Sequence, residues 1–244
     1  MTRQALVALT VALAAGLGMS SVFSQTPPNT TQLQPAPDIP GVIKGGTMPE
    51  VVIQGLTSSD DSFWLPNVGI IFSEPRANRI VRLDEHDQPV TFVGNLHGPL
   101  GMAFDAKNGR LVSLQTEPGF TGPRVVWPAG KEAILANNYQ GKPFGRPNDI
   151  VADRNGAPAG APPRSNADGL VTDDDGRLYS LTESGIEVLS PTGQHLGVIP
   201  LWCITRRCQN LGFGGPDKRT LYVAGGGTLL RIPMLARGFQ GRAK

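Results

Sequence analysis

One phrase recurs along this chain: an apolar strand runs into an Asp-containing turn and then into a second apolar strand. Its copies are AFDAKNGRLVSL (103–114), IVADRNG (150–156), LVTDDDGRLYSL (170–181) and GFGGPDKRTLYVA (212–224). Asp, Asn and Gly adopt the backbone angles of tight turns, so each copy predicts a β-hairpin. Strand-like stretches such as GIEVLSPTGQHLGVIP and TLLRIPML follow, which makes the predicted unit a meander of up to four strands. Such units build β-propellers.

Spacing and composition agree with this prediction. A four-stranded blade occupies roughly 40 to 50 residues; Asp105 lies 48 residues before Asp153, and Asp173 lies 44 before Asp217. The 244 residues include 31 Gly and 22 Pro, with only 17% charged residues. This composition favours many short strands and turns over helices. We therefore predict an all-β fold of the propeller type.

One interval breaks the period, because Asp153 and Asp173 are only 20 residues apart. The hairpin that begins at Ile150 is expected to lack its second strand. An Ala/Pro bridge at residues 157–164 is expected to lead straight into a later blade. A single blade with a shortened outer half is the alternative that the spacing leaves open.

The first 25 residues, MTRQALVALTVALAAGLGMSSVFSQ, carry one Arg, an apolar run too short to span a membrane, and then small residues. This pattern predicts a secretory signal at residues 1–24, cut after Ser24. A Pro-, Thr- and Gln-rich tract predicts a flexible leader at residues 25–47, and the propeller domain is expected at residues 48–244. The mature protein is predicted to be exported, either periplasmic or secreted.

Charge and cysteine content limit the partners and the compartment. The formal charge is +2, and removal of the signal takes away one Arg. A protein so near neutrality binds nucleic acid poorly. Neither nucleic acid nor, after signal cleavage, a membrane is expected as a partner, and no protein partner is predicted. In an oxidising compartment Cys203 and Cys208 are predicted to form a disulfide, with a reduced or metal-bound pair as the alternative.

From about Pro49 onward the chain resembles the senescence-marker-protein/gluconolactonase-like family, which includes regucalcin. The motifs that carry the resemblance are WLPNVGIIFSEPRANRIVRLDE, GKPFGRPNDIVAD, NADGLVTDDDGRLY and NLGFGGPDKRTLYVAGGGTLLRI. The resemblance implies a six-bladed propeller with one divalent cation in its channel and hydrolysis of a sugar lactone. At roughly 45 residues per blade, the chain has residues for about four blades, so the ring is predicted to be incomplete.

The resemblance also implies the cation's ligands, which are Asp60, Asn148 and Asp168. Asp60 stands where the family has a Glu four residues ahead of a Trp. The family's P-N-G motif, which supplies another ligand, does not occur between R-x-N-D and A-D-G-L. Oxygen ligands suit Ca²⁺, the first expectation, with Zn²⁺, Mg²⁺ or Mn²⁺ as alternatives. Asp61 and Asp149 are the nearest substitutes, and Asx-turn formation is the structural alternative for each residue.

The implied reaction opens a small-molecule cyclic ester with help from the cation. Asp168 is expected to remove a proton from the attacking water, and Arg146 to hold a sugar hydroxyl or carboxylate. Asn148 is expected to contact both substrate and cation. The alternative function is a catalytically impaired or non-enzymatic propeller that binds a small ligand.

The three histidines are not expected to take part in this chemistry. None of them has metal-ligand spacing to another, and all lie in turn-like sequence. They are predicted to be surface residues: His86, His97 and His195.

Overall fold

The structure is a computed structural model that describes residues 33–145, 147–152, 158–160, 168–182, 184–201 and 208–240. Regular secondary structure in these residues is β-strand, apart from one 3₁₀ turn at Pro75–Ala77. Within the same ranges no helix has the length and apolar character needed to cross a bilayer.

Four antiparallel four-stranded sheets form the body of the fold, and we call them blades 1 to 4. Strand β1 (Glu50–Ile53) is the outermost strand of blade 4. Blade 1 consists of β2 (Ser62–Leu65), β3 (Gly69–Glu74), β4 (Arg79–Leu83) and β5 (Pro89–Val93). Blade 2 consists of β6 (Met102–Asp105), β7 (Arg110–Gln115), β8 (Gly122–Trp127) and β9 (Ala133–Ile134).

Two short hairpins follow blade 2, and the remaining blades follow the hairpins. The first hairpin pairs β10 (Asn138–Tyr139) with β11 (Lys142–Pro143), and the second pairs β12 (Ile150–Ala152) with β13 (Pro158–Gly160). Blade 3 consists of β14 (Leu170–Thr172), β15 (Leu178–Thr182), β16 (Gly185–Leu189) and β17 (His195–Ile199). Blade 4 consists of β18 (Asn210–Gly214), β19 (Thr220–Gly225), β20 (Thr228–Pro233) and β1. The predicted all-β propeller with about four blades is confirmed.

The recurring phrase forms hairpins for the reason that its turn residues predict. In blade 2, buried Asp105 accepts hydrogen bonds from the Asn108 backbone (3.2 Å) and from Arg110 Nε (2.7 Å). In blade 3, buried Asp173 accepts from the Arg177 backbone (2.9 Å) and from Arg177 Nε (2.6 Å). These carboxylates satisfy turn donors that would otherwise compete with the strand ladder. The Asp of the phrase is therefore structural in both blades.

Blade 4 is closed by the strand nearest the N-terminus. Glu50 of β1 lies opposite Arg231 of β20, and the Arg231 guanidinium holds both Glu50 carboxylate oxygens, at 2.8 and 2.7 Å. The same guanidinium reaches Asp87 in the β4–β5 turn of blade 1, at 2.8 Å. One arginine therefore joins the closing strand, blade 4 and blade 1.

The packed domain begins earlier than Met48. Ala36, Ile39, Val42 and Ile43 are buried in one apolar cluster with residues of blades 3 and 4. The Val42 carbonyl accepts hydrogen bonds from the Leu235 and Ala236 backbone, at 2.9 and 3.0 Å. The expectation of a flexible leader up to residue 47 is therefore corrected for residues 33–47, because apolar residues within the Pro-rich tract cover blade surface. The predicted signal at residues 1–24 lies outside the described residues.

The bridge also differs from expectation. Strand β13 lies within residues 157–164 and pairs with β12 in the register Ile150↔Gly160 and Ala152↔Pro158. The prediction that the Ile150 hairpin lacks its second strand is therefore wrong. Backbone hydrogen bonds stabilise an antiparallel strand pair independently of its side chains. Pro is tolerated at the end of an edge strand. The rest of the bridge lies outside the described residues.

Candidate functional site

The innermost strands of the blades begin side by side at one end of the propeller, which we call the mouth. The Gly101 backbone N–H, before β6, donates to the Asn148 carbonyl, before β12, at 3.1 Å. The Gly169 N–H, before β14, donates to the Gln209 carbonyl, before β18, at 2.9 Å. Adjacent inner strands therefore start at the same level, and the residues that precede them meet at the mouth.

A shared backbone bond defines equivalent positions around the mouth. The N–H groups of Asp60, Leu100, Asp168 and Gln209 each donate to the second strand of their own blade, at 2.8 to 3.1 Å. Asp60, Leu100 and Asp168 each stand two residues before their inner strand, and Asn148 stands two residues before β12. Gln209 directly precedes β18, because that strand starts one residue earlier. The mouth thus carries a ring of five positions: Asp60, Leu100, Asn148, Asp168 and Gln209.

The residue that follows each ring position contributes to packing between blades. An added Cβ on Gly101 would come within 3.0 Å of Asp149 Oδ1, and one on Gly169 within 2.5 Å of Asn210 Oδ1. Each glycine therefore makes room for an Asp or Asn of the adjacent inner strand. Asp149 and Asn210 accept a hydrogen bond from the N–H of the following residue, at 2.8 and 2.9 Å. This explains the glycine of the A-D-G-L motif physically.

The structure brings Asn148 and Asp168 together. Asn148 Nδ2 donates to Asp168 Oδ1 at 3.4 Å, although 20 residues separate them in sequence. Asn148 is exposed and Asp168 is partly exposed, so both side chains are open to a ligand at the mouth. The two residues of the R-x-N-D and A-D-G-L motifs therefore share one site.

Asp60 joins the same ring through Gln209. Gln209 Nε2 donates to Asp60 Oδ2 at 3.0 Å, while the Gln209 carbonyl accepts from the residue next to Asp168. Asp60 is buried, with 5% of its surface exposed. Gln209 therefore bridges two of the predicted ligands, a role that the sequence analysis did not assign to it. Gln209 belongs to no sequence motif, and its role is recognised only from the alignment of the inner strands in the structure.

The nearest substitutes have structural partners of their own. Asp61 is fully buried, and its Oδ2 accepts a hydrogen bond from the Met102 backbone of blade 2 at 2.5 Å. Such a charge-assisted bond ties blade 1 to blade 2. Asp149 binds the N–H of Ile150 at the start of β12. The geometry therefore favours Asp60 and Asn148 over these neighbours as ligand contacts.

Two predicted residues fall outside the described residues. Arg146, expected on the substrate side, is one of them, and Cys203 is the other. Cys208 is disulfide-bonded. The pairing of Cys203 with Cys208 stays a prediction.

No family model matches the chain. A gluconolactonase of Zymomonas mobilis is 26% identical to it over 209 residues, which cover 78% of this chain and 54% of that protein. An X-ray structure of a suspected gluconolactonase superposes with a TM-score of 0.69 at 18% identity, over 85% of this chain and 99% of that one. A gluconolactonase of Xanthomonas campestris superposes with a TM-score of 0.65 at 18% identity, over 83% and 97%.

The chain is similar to gluconolactonases in sequence and in fold. The two superpositions establish the fold, and the Zymomonas protein supplies the sequence relationship. This gluconolactonase-like chain spans about half the length of that relative.

The side chains at the mouth provide the type of ligand atom that a hard divalent cation prefers, but too few of them for a full coordination shell. Asp60, Asn148 and Asp168 offer carboxylate and amide oxygens, which Ca²⁺ prefers, but Ca²⁺ takes about six to eight oxygen ligands. In the part of the chain that the structure describes, no three His, Cys, Asp or Glu side chains form a group suited to a metal ion. Backbone oxygens and water would have to complete the coordination.

Proposed function

We propose that this chain is an exported, metal-dependent hydrolase that opens a sugar lactone or a similar cyclic ester. The observation that carries the proposal is the meeting of Asn148 and Asp168 at the mouth, at 3.4 Å. Both come from the motifs on which the family resemblance rests. Asp60, held by Gln209, adds a second carboxylate to the same ring.

Asp168 is the proton acceptor in this proposal. Its partly exposed carboxylate can reach a water molecule, whereas Asp60 is buried. Asp168 takes a proton from the attacking water, the water oxygen bonds to the carbonyl carbon, and the bond from that carbon to the ring oxygen breaks as the ring oxygen takes up a proton and becomes a hydroxyl. The product is a hydroxy acid. Asn148 orients Asp168 and donates a hydrogen bond at the mouth.

The expected cation, Ca²⁺ or alternatively Zn²⁺, Mg²⁺ or Mn²⁺, would be held by Asp60, Asn148 and Asp168. When bound, it supplies Lewis-acid polarisation of the ester carbonyl. Export is proposed from the predicted signal at residues 1–24, and the disulfide-bonded state of Cys208 supports it, because disulfides persist in oxidising compartments.

Hydrolysis of glucono-1,5-lactone by the purified protein, with and without Ca²⁺, tests the proposal. We expect turnover that chelation abolishes and added Ca²⁺ restores. Asp168→Asn should lower kcat by about 10²-fold or more, as expected for loss of a general base, with an unchanged circular dichroism spectrum. Asp217→Asn is the matched control, because Asp217 lies in the β18–β19 turn and binds the Arg219 backbone, a bond that Asn can keep. Full activity of Asp168→Asn would refute the assignment.

A second candidate is a propeller that binds a small ligand without hydrolysing it. The ligand count at the mouth favours this candidate, since the described residues gather no metal-binding group of three acidic, His or Cys side chains. Calorimetry with D-gluconate separates the two. Gluconate binding that needs no metal, with no lactone turnover under any metal, would favour the second candidate.

A further inference from the structure

A His–Glu pair lies on the face of blade 2 that carries the mouth. His97 Nδ1 lies 3.2 Å from Glu117 Oε2. His97 belongs to the loop before β6, and Glu117 follows β7. Because β6 and β7 are antiparallel, the start of β6 and the end of β7 lie at the same end of the blade. The pair is therefore on the mouth side.

This pair lies close along the chain to the ring position of blade 2. His97 is three residues before Leu100, which holds the ring position of blade 2. Three residues span at most about 11 Å, and the Gly101 N–H that follows Leu100 donates to the Asn148 carbonyl at 3.1 Å. His97 therefore lies on the same side of the fold as Asn148, and a hydroxyl-rich ligand that extends from Asn148 toward blade 2 would approach it.

His97 is fixed in position by its surroundings. The His97 backbone N–H donates to Gln115 Oε1 at 2.6 Å, and the imidazole stacks on the Phe120 ring with centroids 3.4 Å apart. Asn78 Nδ2 donates to Glu117 Oε1 at 3.1 Å, so the carboxylate is held as well. Only 35% of the His97 side chain is exposed. An oriented imidazole with a carboxylate on Nδ1 is the arrangement in which Nε2 exchanges protons with a reactant.

We propose that His97, oriented by Glu117, is a second acid–base residue of the mouth, acting on a hydroxyl-rich cyclic ester. The inference rests on the proposed hydrolase function. As the carbonyl carbon separates from the ring oxygen, the imidazolium Nε2 gives its proton to that oxygen, which leaves as a hydroxyl. The proton that Asp168 took from water returns to solvent, and neutral His97 is reprotonated by solvent. Glu117 is a positioning residue.

The charged groups that face His97 are few. Glu117 contacts the ring directly, and the Arg124 guanidinium lies 5.1 Å from the centroid of Phe120, on which the imidazole stacks. A matched pair exists elsewhere: His195 Nε2 lies 2.6 Å from Glu187 Oε2 in the outer half of blade 3. His195 begins β17 at the end of that blade opposite Asp168. It is therefore a control with the same residue types, paired through the other ring nitrogen and located away from the mouth.

Histidine side-chain NMR with D-gluconate tests the contact without relying on activity. We expect gluconate to shift the ring signals of His97, because its hydroxyl and carboxylate groups would lie near the imidazole, and to leave the signals of His195 unchanged. Assignment comes from His97→Gln and His195→Gln. Unshifted His97 signals at saturating gluconate would overturn the inference.

The pH dependence of kcat/KM tests proton transfer. The parent should lose activity toward high pH, because the proton donor of the proposed step must carry its proton. His97→Gln should lack this decline at high pH, and its kcat/KM should be about 10²-fold lower. His97→Asn, which can keep a hydrogen bond to Glu117, should show the same two changes. Glu117→Gln should move the decline to lower pH, and His195→Gln should match the parent.

The two proposals fail in different ways. A parent with lactonase activity whose pH profile survives in His97→Gln keeps the hydrolase and overturns the role of His97. A parent without lactonase activity whose His97 signals still shift with gluconate refutes the hydrolase and keeps the ligand contact. A parent with neither property overturns both.

Discussion

At the scale of single residues, one register decides what each side chain at the mouth does. The ring positions lie at the mouth, and the residues that follow them pack between blades. Asn148 and Asp149 are neighbours in sequence but have different roles, since the first contacts Asp168 and the second binds the Ile150 N–H. The R-x-N-D motif therefore combines a site residue with a structural one.

Gln209 gives a prediction at this scale. Replacement by Leu removes the 3.0 Å bond to the buried Asp60 carboxylate. We expect Gln209→Leu to weaken Ca²⁺ binding in calorimetry, because Asp60 is no longer held in place. The free energy of unfolding should fall by about 1–3 kcal/mol, the usual cost of removing a partner from a buried polar group.

Gln194→Leu is the control for that measurement, since Gln194 is exposed in the turn before β17. Equal stability and equal Ca²⁺ affinity in the two variants would contradict the bridging role of Gln209.

The resemblance predicted Asp60, Asn148 and Asp168 from sequence because Asp and Asn in D-G and N-D turns follow recognisable motifs. It could not predict Gln209 or His97, which belong to no motif. Their roles depend on which strands are neighbours, and neighbour relations among blades are long-range. The prediction that His97 is a plain surface residue missed its stacking on Phe120 and its pairing with Glu117.

At the scale of elements, turn chemistry made the hairpins predictable, while composition misled at two segments. The Pro-rich tract before Met48 has the composition of a linker, yet its apolar residues at 36, 39, 42 and 43 are buried. Strand β13, with the sequence Pro-Ala-Gly, has little strand propensity of its own. Its pairing with β12 depends on backbone hydrogen bonds, which amino-acid propensities do not predict.

The N-terminal segment should contribute measurably to stability. Ile43 is fully buried against blades 3 and 4. Ile43→Ala is expected to lower the free energy of unfolding by about 2–5 kcal/mol, the range for truncating a buried aliphatic side chain. Met48→Ala is the control, because Met48 is 48% exposed. If urea denaturation gives both variants the stability of the parent, the segment does not pack as described.

The closing strand gives a prediction about pH. The hydrogen bond from Arg231 holds the pKa of Glu50 below its ordinary value of 4.5. A carboxyl whose pKa is depressed by folding contributes stability above its unfolded-state pKa and loses it as the pH falls through the folded-state value. Arg231→Gln should therefore lower unfolding free energy at pH 7 by up to about 1 kcal/mol, the range for a half-exposed pair.

This difference from the parent should shrink below pH 4.5 and under high salt, which screens exposed charges. Arg76→Gln, at an exposed arginine of the 3₁₀ turn, is the control. A stability loss of the same size at pH 3 and pH 7 would assign the effect of Arg231 to packing of its side chain and not to charge.

At the scale of the whole molecule, the described blades form a ring with one short sector. Blade 3 packs against blade 4 through β14 and β18, and blade 2 packs against β12. Between β12 and β14 the described link is the Asn148–Asp168 bond. Leu170, on the inner strand β14, is 45% exposed, which is unusual for an inner-strand leucine. Asn148 and Asp168 therefore border this short sector.

We expect an insertion there to act on fold and site together. A family-like segment of about 80–90 residues, roughly two blades, placed between Gly160 and Asp168 would cover Leu170 and the free side of β14. Both the unfolding temperature and the affinity for Ca²⁺ should rise, because Asn148 and Asp168 would be held from both sides. Differential scanning calorimetry and titration calorimetry measure the two quantities. A Gly/Ser insertion of equal length is the control, since it adds chain without a core to bury. If the family-like insertion leaves both quantities at the level of the parent, the short sector is a tolerated feature of a complete fold.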